Sequence, residues 1–488
     1  MGRIKSLASD TMIYGVFTVV GRFLTFMLTP IYSNYLSRVT VGDISFFFSI
    51  IAFINIIYAF GMETAFFRFF AKEDDDKTKK VFTAAYMMIL LISAIFSSII
   101  YLFAEQLAPS LSELPNAVTL VRLGALLPFL DSLLVIPLAM LRMTRQPKRF
   151  ALVRFLMVIL AVALNMFFII QLQWGAVGVF YAQIISSIFG IALLAKDIIK
   201  YLLIKIEKKL LKEMLRFGLP TIPATLSGMI LQVVNIPILK QLTNPETVAL
   251  YAINNRLGIP MLLFVSVFIY AWKPFYLSRY KDEDAKPLFA RVLTYFTFSS
   301  ALIFLGIGFF VQYIVMLPFV GGKFINPVYW SGLGIVPIVM FSYFLNGVFN
   351  NFAAGFHITK KTDYLPLAIG IAAVLNIILN YVLIPHFNIW GSVFATLISY
   401  FVSVVIIYLF SRKIYPINYE WKRIFILIIF TAIFYFAGIN LTEGMSLGMS
   451  FVVRLLLFVG FIASLFIAKF FNKSEILAFI GIFKRKKI

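Results

Sequence analysis

No cysteine occurs among the 488 residues, which excludes a disulfide framework, a thiolate metal site and a cysteine nucleophile. Histidine is nearly absent: His357 and His386 are too few for a histidine-rich metal cage. Charge is thin as well, at 13% of residues against about 25% in average soluble proteins, and acids are the rarer sign, 21 against 43 cations. No GxxxxGK[ST], HExxH or paired catalytic carboxylate pattern is present, so neither ATP hydrolysis nor zinc chemistry has a home. An enzyme is therefore not expected, and no cofactor. Glu73-Asp74-Asp75-Asp76 resembles an acidic magnesium-diphosphate site, but as one isolated cluster flanked by lysines it reads as a solvated turn. Stretches long enough for an extramembrane domain are also missing.

What the chain does have is apolar surface. Hydrophobic residues make up 61% of it, with 55 Phe and 23 Tyr, well beyond the roughly 45–50% of soluble proteins. Runs of membrane length start near residues 10, 42, 81, 117, 150, 175, 214, 247, 289, 328, 364, 388, 423 and 447. Lipid cannot hydrogen-bond exposed peptide groups, so these runs must be helices. Met1–Asp10 is short, polar and basic, and the apolar run after it is long enough to remain in the bilayer, so no secretory signal is expected.

The net charge of +22 would suggest nucleic acid in a soluble protein, but its distribution gives a different answer. Cations crowd the intervals after the even-numbered runs: Lys72 to Lys80, Arg142 to Arg149, Lys200 to Arg216, Arg279 to Lys286, Lys360-Lys361 and Arg412 to Arg423. The chain also ends Lys484-Arg485-Lys486-Lys487. Odd-numbered intervals are nearly bare. Positive loops stay cytoplasmic, so fourteen helices with both termini inside a bacterial cytoplasmic membrane are expected. The excess charge serves topology and membrane lipids; no nucleic-acid partner is needed.

An internal repeat divides the chain. Pro30-Ile31 with Thr40-Val41 recurs as Pro237-Ile238 with Thr247-Val248, and Ala163-Leu164-Asn165 recurs as Val374-Leu375-Asn376. Trp174-Gly175 and Trp390-Gly391 follow, each at an expected short outer turn. The expected fold is all-α: two pseudo-symmetric six-helix lobes, 1–199 and 217–413, joined by an amphipathic connector, 200–216, with two further helices and a basic tail in 414–488. Pro220, Pro223 and Pro237 in the seventh helix and Pro260 in the eighth remove backbone donors and permit bends.

Charges within apolar helices cost ~2.5–3.5 kcal/mol each on insertion scales and mark functional positions. Arg22, Lys240, Arg256 and Lys273 lie on the first, seventh and eighth helices and would converge if the lobes face one another across a cavity, where guanidinium groups grip phosphate oxygens. Glu63 and Asp131 are candidates for ion coupling, or counter-ions to Arg68, Arg22 or Arg122. Arg454 lies in the last helix, and Asn165 and Asn376 suit interhelical hydrogen bonds.

Several segments resemble a known family. Gly21-Arg22-Phe23-Leu24, then Thr29-Pro30-Ile31-Tyr32-Ser33-Asn34-Tyr35-Leu36 and Gly61-Met62-Glu63-Thr64-Ala65-Phe66-Phe67-Arg68, look like the opening of Wzx-type polysaccharide flippases of the MOP superfamily. Leu375-Asn376-Ile377-Ile378-Leu379-Asn380-Tyr381 and Gly391-Ser392-Val393-Phe394-Ala395-Thr396 resemble the eleventh- and twelfth-helix signature of the same group. The resemblance implies a V-shaped pair of lobes around a cationic cavity lined by the first, second, seventh and eighth helices, with Arg22, Arg68 and Arg256 as cavity candidates. It implies as cargo a polyprenyl-pyrophosphate-linked oligosaccharide of a polysaccharide or O-antigen pathway, moved outward by alternating access, with glycan polymerase or export machinery as partners. A MATE-like organic cation antiporter and a lipid II flippase are the alternatives. The first should have a cavity dominated by carboxylates and aromatics.

Overall fold

A computed structural model describes residues 19–468 and 470–471; the basic tail and the start of the first apolar run lie outside these. Helix α1 covers residues 19–26 and continues as Leu28–Tyr35. Then follow α2 (Arg38–Phe69), α3 (Asp75–Leu102), α4 (Ala117–Met143), α5 (Pro147–Gln171) and α6 (Gly175–Tyr201). The second half comprises α7 (Lys208–Val233, resuming as Asn235–Leu242), α8 (Pro245–Leu257 and Ile259–Arg279), α9 (Ala285–Met316), α10 (Pro327–Ile358), α11 (Tyr364–Phe387) and α12 (Ile389–Ile414). Helices α13 (Trp421–Leu441) and α14 (Leu447–Ile467) close the order. Thirteen helices among the described residues are long and apolar enough to cross a membrane; with α1 the arrangement is consistent with fourteen crossings. The protein is a multi-span, all-α membrane protein of two six-helix lobes plus two C-terminal helices.

Proline sets the breaks in these helices. A proline has no N–H for the carbonyl four residues back, so the ladder opens one turn before it. Helix α1 breaks at Met27 ahead of Pro30, α4 at Leu134 ahead of Pro137, α7 at Val234 ahead of Pro237, and α8 at Gly258 ahead of Pro260. The breaks in α1 and α7 are separated by the same 207 residues as Pro30 and Pro237, so the repeat written in the sequence is also a repeat of backbone geometry. Helix α2 breaks differently, at Phe60 and Gly61, both left-handed (φ 49° and 69°). A Cβ on Gly61 would sit 2.2 Å from the Gly218 carbonyl oxygen, so the two backbones pack in direct contact and only glycine fits.

Two local expectations shift. The helical part of the connector begins at Lys208 rather than Lys200, because Thr83 ties down the chain before it: its Oγ1 donates to the Tyr201 carbonyl at 3.3 Å and accepts from the Leu203 N–H at 2.8 Å. The connector's apolar residues Leu210 and Met214 are buried among Met62, Phe66 and Val81 of α2 and α3, so that face packs on protein. The second outer turn falls at Asn388 (φ 52°), which leaves Trp390 inside the first turn of α12, whereas Trp174 directly precedes α6. Around the C-terminal lobe, α9, α13 and α14 pack through Leu305, Phe309, Leu427, Phe461 and Leu465.

Candidate functional site: a cationic cavity between the lobes

A cavity of about 610 Å3 lies between the lobes, walled by α1 (Gly21, Arg22, Thr25, Phe26), α5 (Phe150, Ala151, Arg154, Phe155, Val158), α7 (Gln232) and α8 (Arg256, Ile259, Leu262). Three of its lining residues are arginines and none is a carboxylate. Among the described residues, none of the three makes an ion pair. Such groups have lost part of their hydration without gaining a counter-ion, and an anion brought into the cavity relieves both.

Two of the guanidiniums are held from behind. Arg22 Nη1 donates to Ser266 Oγ of α8 at 2.7 Å, which spans the two lobes. Arg256 sits at the Gly258 break with its guanidinium carbon 5.7 Å from the centre of the Tyr32 ring. The Tyr32 hydroxyl donates to Asn165 Oδ1 at 2.9 Å, and Asn165 Nδ2 donates to the Ala161 carbonyl. Asn165 thus joins α5 to α1 and fixes the ring on which Arg256 rests. Arg154 is exposed to the cavity and lies in the field of Asp131 and, more weakly, Glu63.

The remaining sequence candidates lie elsewhere. Lys240 is ion-paired with Asp43 of α2, donates to the Leu111 carbonyl at 2.8 Å and lies over the Phe46 ring at 4.5 Å. Asp43 is fully buried and also accepts a hydrogen bond from Ser112 Oγ. Arg68 is exposed near the end of α2 and does not line the cavity; Lys273 is exposed on α8 near His357. Glu63 pairs with Arg142 rather than Arg68, and Arg122 pairs with Glu105 at 3.0 Å. Asp131 accepts from Ser187 Oγ at 2.5 Å and lies in the field of Arg154. Arg454 donates to Thr442 Oγ1 at 2.9 and 3.1 Å and to the Phe309 carbonyl at 3.0 Å. Sequence reasoning missed Arg154, which follows Lys148 and Arg149 so closely that it reads as the end of a basic loop.

The two faces differ. On the face of the bare loops the lobes are tied by the Asp43–Lys240 pair, by Asn34 Nδ2 to the Lys323 carbonyl at 2.7 Å, by Arg38 to the Glu246 carbonyl at 3.3 Å and by the Asn326 N–H to Ser33 Oγ at 3.3 Å. Gly42 and Pro245 meet backbone to backbone there; a Cβ on Gly42 would lie 1.9 Å from the Pro245 oxygen. Toward the basic-loop face, past Arg22, no side-chain hydrogen bond or ion pair joins the six-helix lobes among the described residues. An apolar cavity of about 370 Å3 adjoins α8 from the side of α9, α10 and α13.

Residues 7–281 match the family model for polysaccharide biosynthesis proteins. The chain belongs to the polysaccharide biosynthesis protein family. No curated protein matches it. Among solved structures, the lipid II flippase MurJ in an inward closed conformation matches with a TM-score of 0.76 at 16% identity, over 93% of this chain and 98% of that one. An inward-facing MATE-family multidrug transporter of the MOP superfamily matches at 0.68 and 16% identity, over 83% and 95% of the two chains. An outward-facing MATE-family structure matches at 0.57 and 16% identity, over 87% and 96%. The polysaccharide biosynthesis family member described here therefore has the MOP-superfamily fold.

Proposed function

We propose that this polysaccharide biosynthesis protein flips a polyprenyl-pyrophosphate-linked oligosaccharide from the inner to the outer leaflet of the cytoplasmic membrane by alternating access. The observation that carries this is the cavity holding Arg22, Arg154 and Arg256 with no lining carboxylate. A diphosphate diester carries two negative charges and a fan of acceptor oxygens, and guanidinium forks bind such groups bidentately. The positive-inside rule assigns the basic loops to the cytoplasm, and the polar ties between the lobes gather on the other face, which supports loading from the cytoplasm. The headgroup would leave hydrocarbon for this hydrated chamber while the prenyl chain stays in lipid, against apolar surface of the kind found beside α8.

A cation antiporter needs anionic groups in its cavity, and the carboxylates here are committed elsewhere: Asp43 to Lys240 and Glu63 to Arg142. Lipid II carries the same diphosphate, and the family match supports a polysaccharide precursor over it. The test is translocation in proteoliposomes containing the full chain, with lipid-linked oligosaccharide and lipid II as separate arms. Transport of the oligosaccharide that disappears in Arg22→Ala is the expected result. Transport of neither lipid, or transport indifferent to Arg22→Ala, would overturn the proposal.

A further inference from the structure

Arg22 lines a second chamber as well as the first. This one, of about 270 Å3, lies wholly within the C-terminal lobe except for Arg22 itself, and Gln232 also borders both. Its walls come from α7, α8, α10 and α12, and no carboxylate, lysine or further arginine lines it. Amides and hydroxyls take their place. Tyr343 lies beside Asn255, and Tyr400 beside Asn346. Ser342 is buried in the same wall.

We propose that this chamber is a sugar subsite, which receives the uncharged sugar joined directly to the diphosphate. The inference rests on the flippase reading, because it needs the phosphates on Arg22 and Arg256. Three features converge on that chemistry. First, Arg22, Gln232 and Leu262 line both the cationic cavity and this chamber, so a group bonded to a phosphate held at Arg22 lies beside it. Second, apart from Arg22 its polar groups are neutral and each can both donate and accept, which matches vicinal hydroxyls and offers no further cation to a second anion. An amide has four hydrogen-bonding positions, and among the described residues Asn346 Oδ1 accepts a side-chain hydrogen bond only from Asn350, at 3.2 Å. Third, apolar residues such as Leu262 and Val339 alternate with the amides and tyrosines, which suits the C–H faces of a sugar ring.

The experiment is equilibrium binding to the full chain in lipid nanodiscs. The probes are polyprenyl diphosphate alone and the same lipid bearing glucose, galactose, N-acetylglucosamine or a uronic acid. At least one neutral glycolipid is expected to bind about tenfold more tightly than the bare diphosphate, as one or two net hydrogen bonds would give. Asn255→Leu and Asn346→Leu should each remove most of that gain while bare-lipid binding stays within about twofold; Tyr343→Phe, which deletes one oxygen, should cost about threefold. Retained binding of the bare lipid doubles as the check that each variant is folded. No gain from any neutral sugar, a gain for the uronic acid alone, or equal weakening of bare and glycosylated lipid would overturn the subsite. Arg256→Ala reports on the other reading: if it weakens no lipid at all, the diphosphate cavity fails, whatever the sugar arms show.

Discussion

Two arginines inside apolar helices meet opposite fates. Arg454 spends its donors on Thr442 Oγ1 and the Phe309 carbonyl, which binds α14 to α13 and α9. Arg256 has a tyrosine ring behind it and the cavity in front. Charge-assisted hydrogen bonds are worth about 1.5–3 kcal/mol each, so Arg454→Ala should lower thermal stability while binding of a polyprenyl diphosphate is unchanged. Arg256→Ala should do the reverse, weakening that binding between about tenfold and a hundredfold with the melting temperature little altered. Arg256→Lys keeps the charge and loses the fork, so only part of the affinity should return. Melting curves and lipid titrations on the same three preparations check all of this. Arg154 should behave as Arg256 does. Arg154→Ala weakening the diphosphate less than twofold would show that the cavity holds its ligand with α1 and α8 alone.

At the scale of helices, the contact that closes the bare-loop face is the pair between Asp43 of α2 and Lys240 of α7. Asp43 is fully buried and Lys240 nearly so, and such a pair is costly to break from one side: removing one partner strands a buried charge at about 3–5 kcal/mol. A structure that opens on this face must separate the two. Asp43→Ala should therefore shift the resting population toward a form open on this face, and Asp43→Lys with Lys240→Asp should restore closure. The absence of native cysteine makes the readout clean. Ser33→Cys, buried at the seam beside Asn326, should label slowly with an impermeant thiol reagent, faster in Asp43→Ala, and slowly again in the swap. Equal labelling in all three would show that the pair is not what holds this face shut.

The same pair shows where sequence reading stops. Hydrophobic period, proline spacing and the 207-residue repeat act locally or by simple translation, so the helices, the breaks in α7 and α8 and the two lobes were legible, whereas the breaks at Met27, Phe60-Gly61 and Leu134 were not read. Arg22 and Arg256 were legible too, because charge in hydrocarbon needs a reason. Which charge meets which was not. Asp43 and Lys240 are 197 positions apart, and nothing local says that the lysine turns from the cavity to a carboxylate on another helix. Arg154 escaped for the opposite reason: its neighbours Lys148 and Arg149 belong to the loop, and only the orientation of α5 sends it into the chamber.

For the whole molecule, the proposed flippase function raises the question of what would drive the cargo outward. In the proposed cycle the Arg22, Arg154 and Arg256 charges would stay with the protein and return, so they could not alter the overall free energy of transport; they would lower the barrier. What would cross is the lipid head. Two negative charges moved out of an inside-negative compartment gain ~4.6 kcal/mol per 100 mV, a ratio of about 10³ between leaflets at equilibrium. If one proton travels out with the head, for example carried on Asp131, the charge moved falls to one and the gain halves to ~2.3 kcal/mol per 100 mV. These cases separate cleanly, because an equilibrium distribution does not depend on which way the protein is inserted. Proteoliposomes clamped at a series of potassium diffusion potentials should show the logarithm of the outer-to-inner ratio rising linearly, with the slope of two charges in wild type. An Asp131→Asn variant with the same slope would take that carboxylate out of the coupling. A flat line would mean that the charge is fully compensated by a co-transported ion, and the membrane potential would lose its place as the driving force.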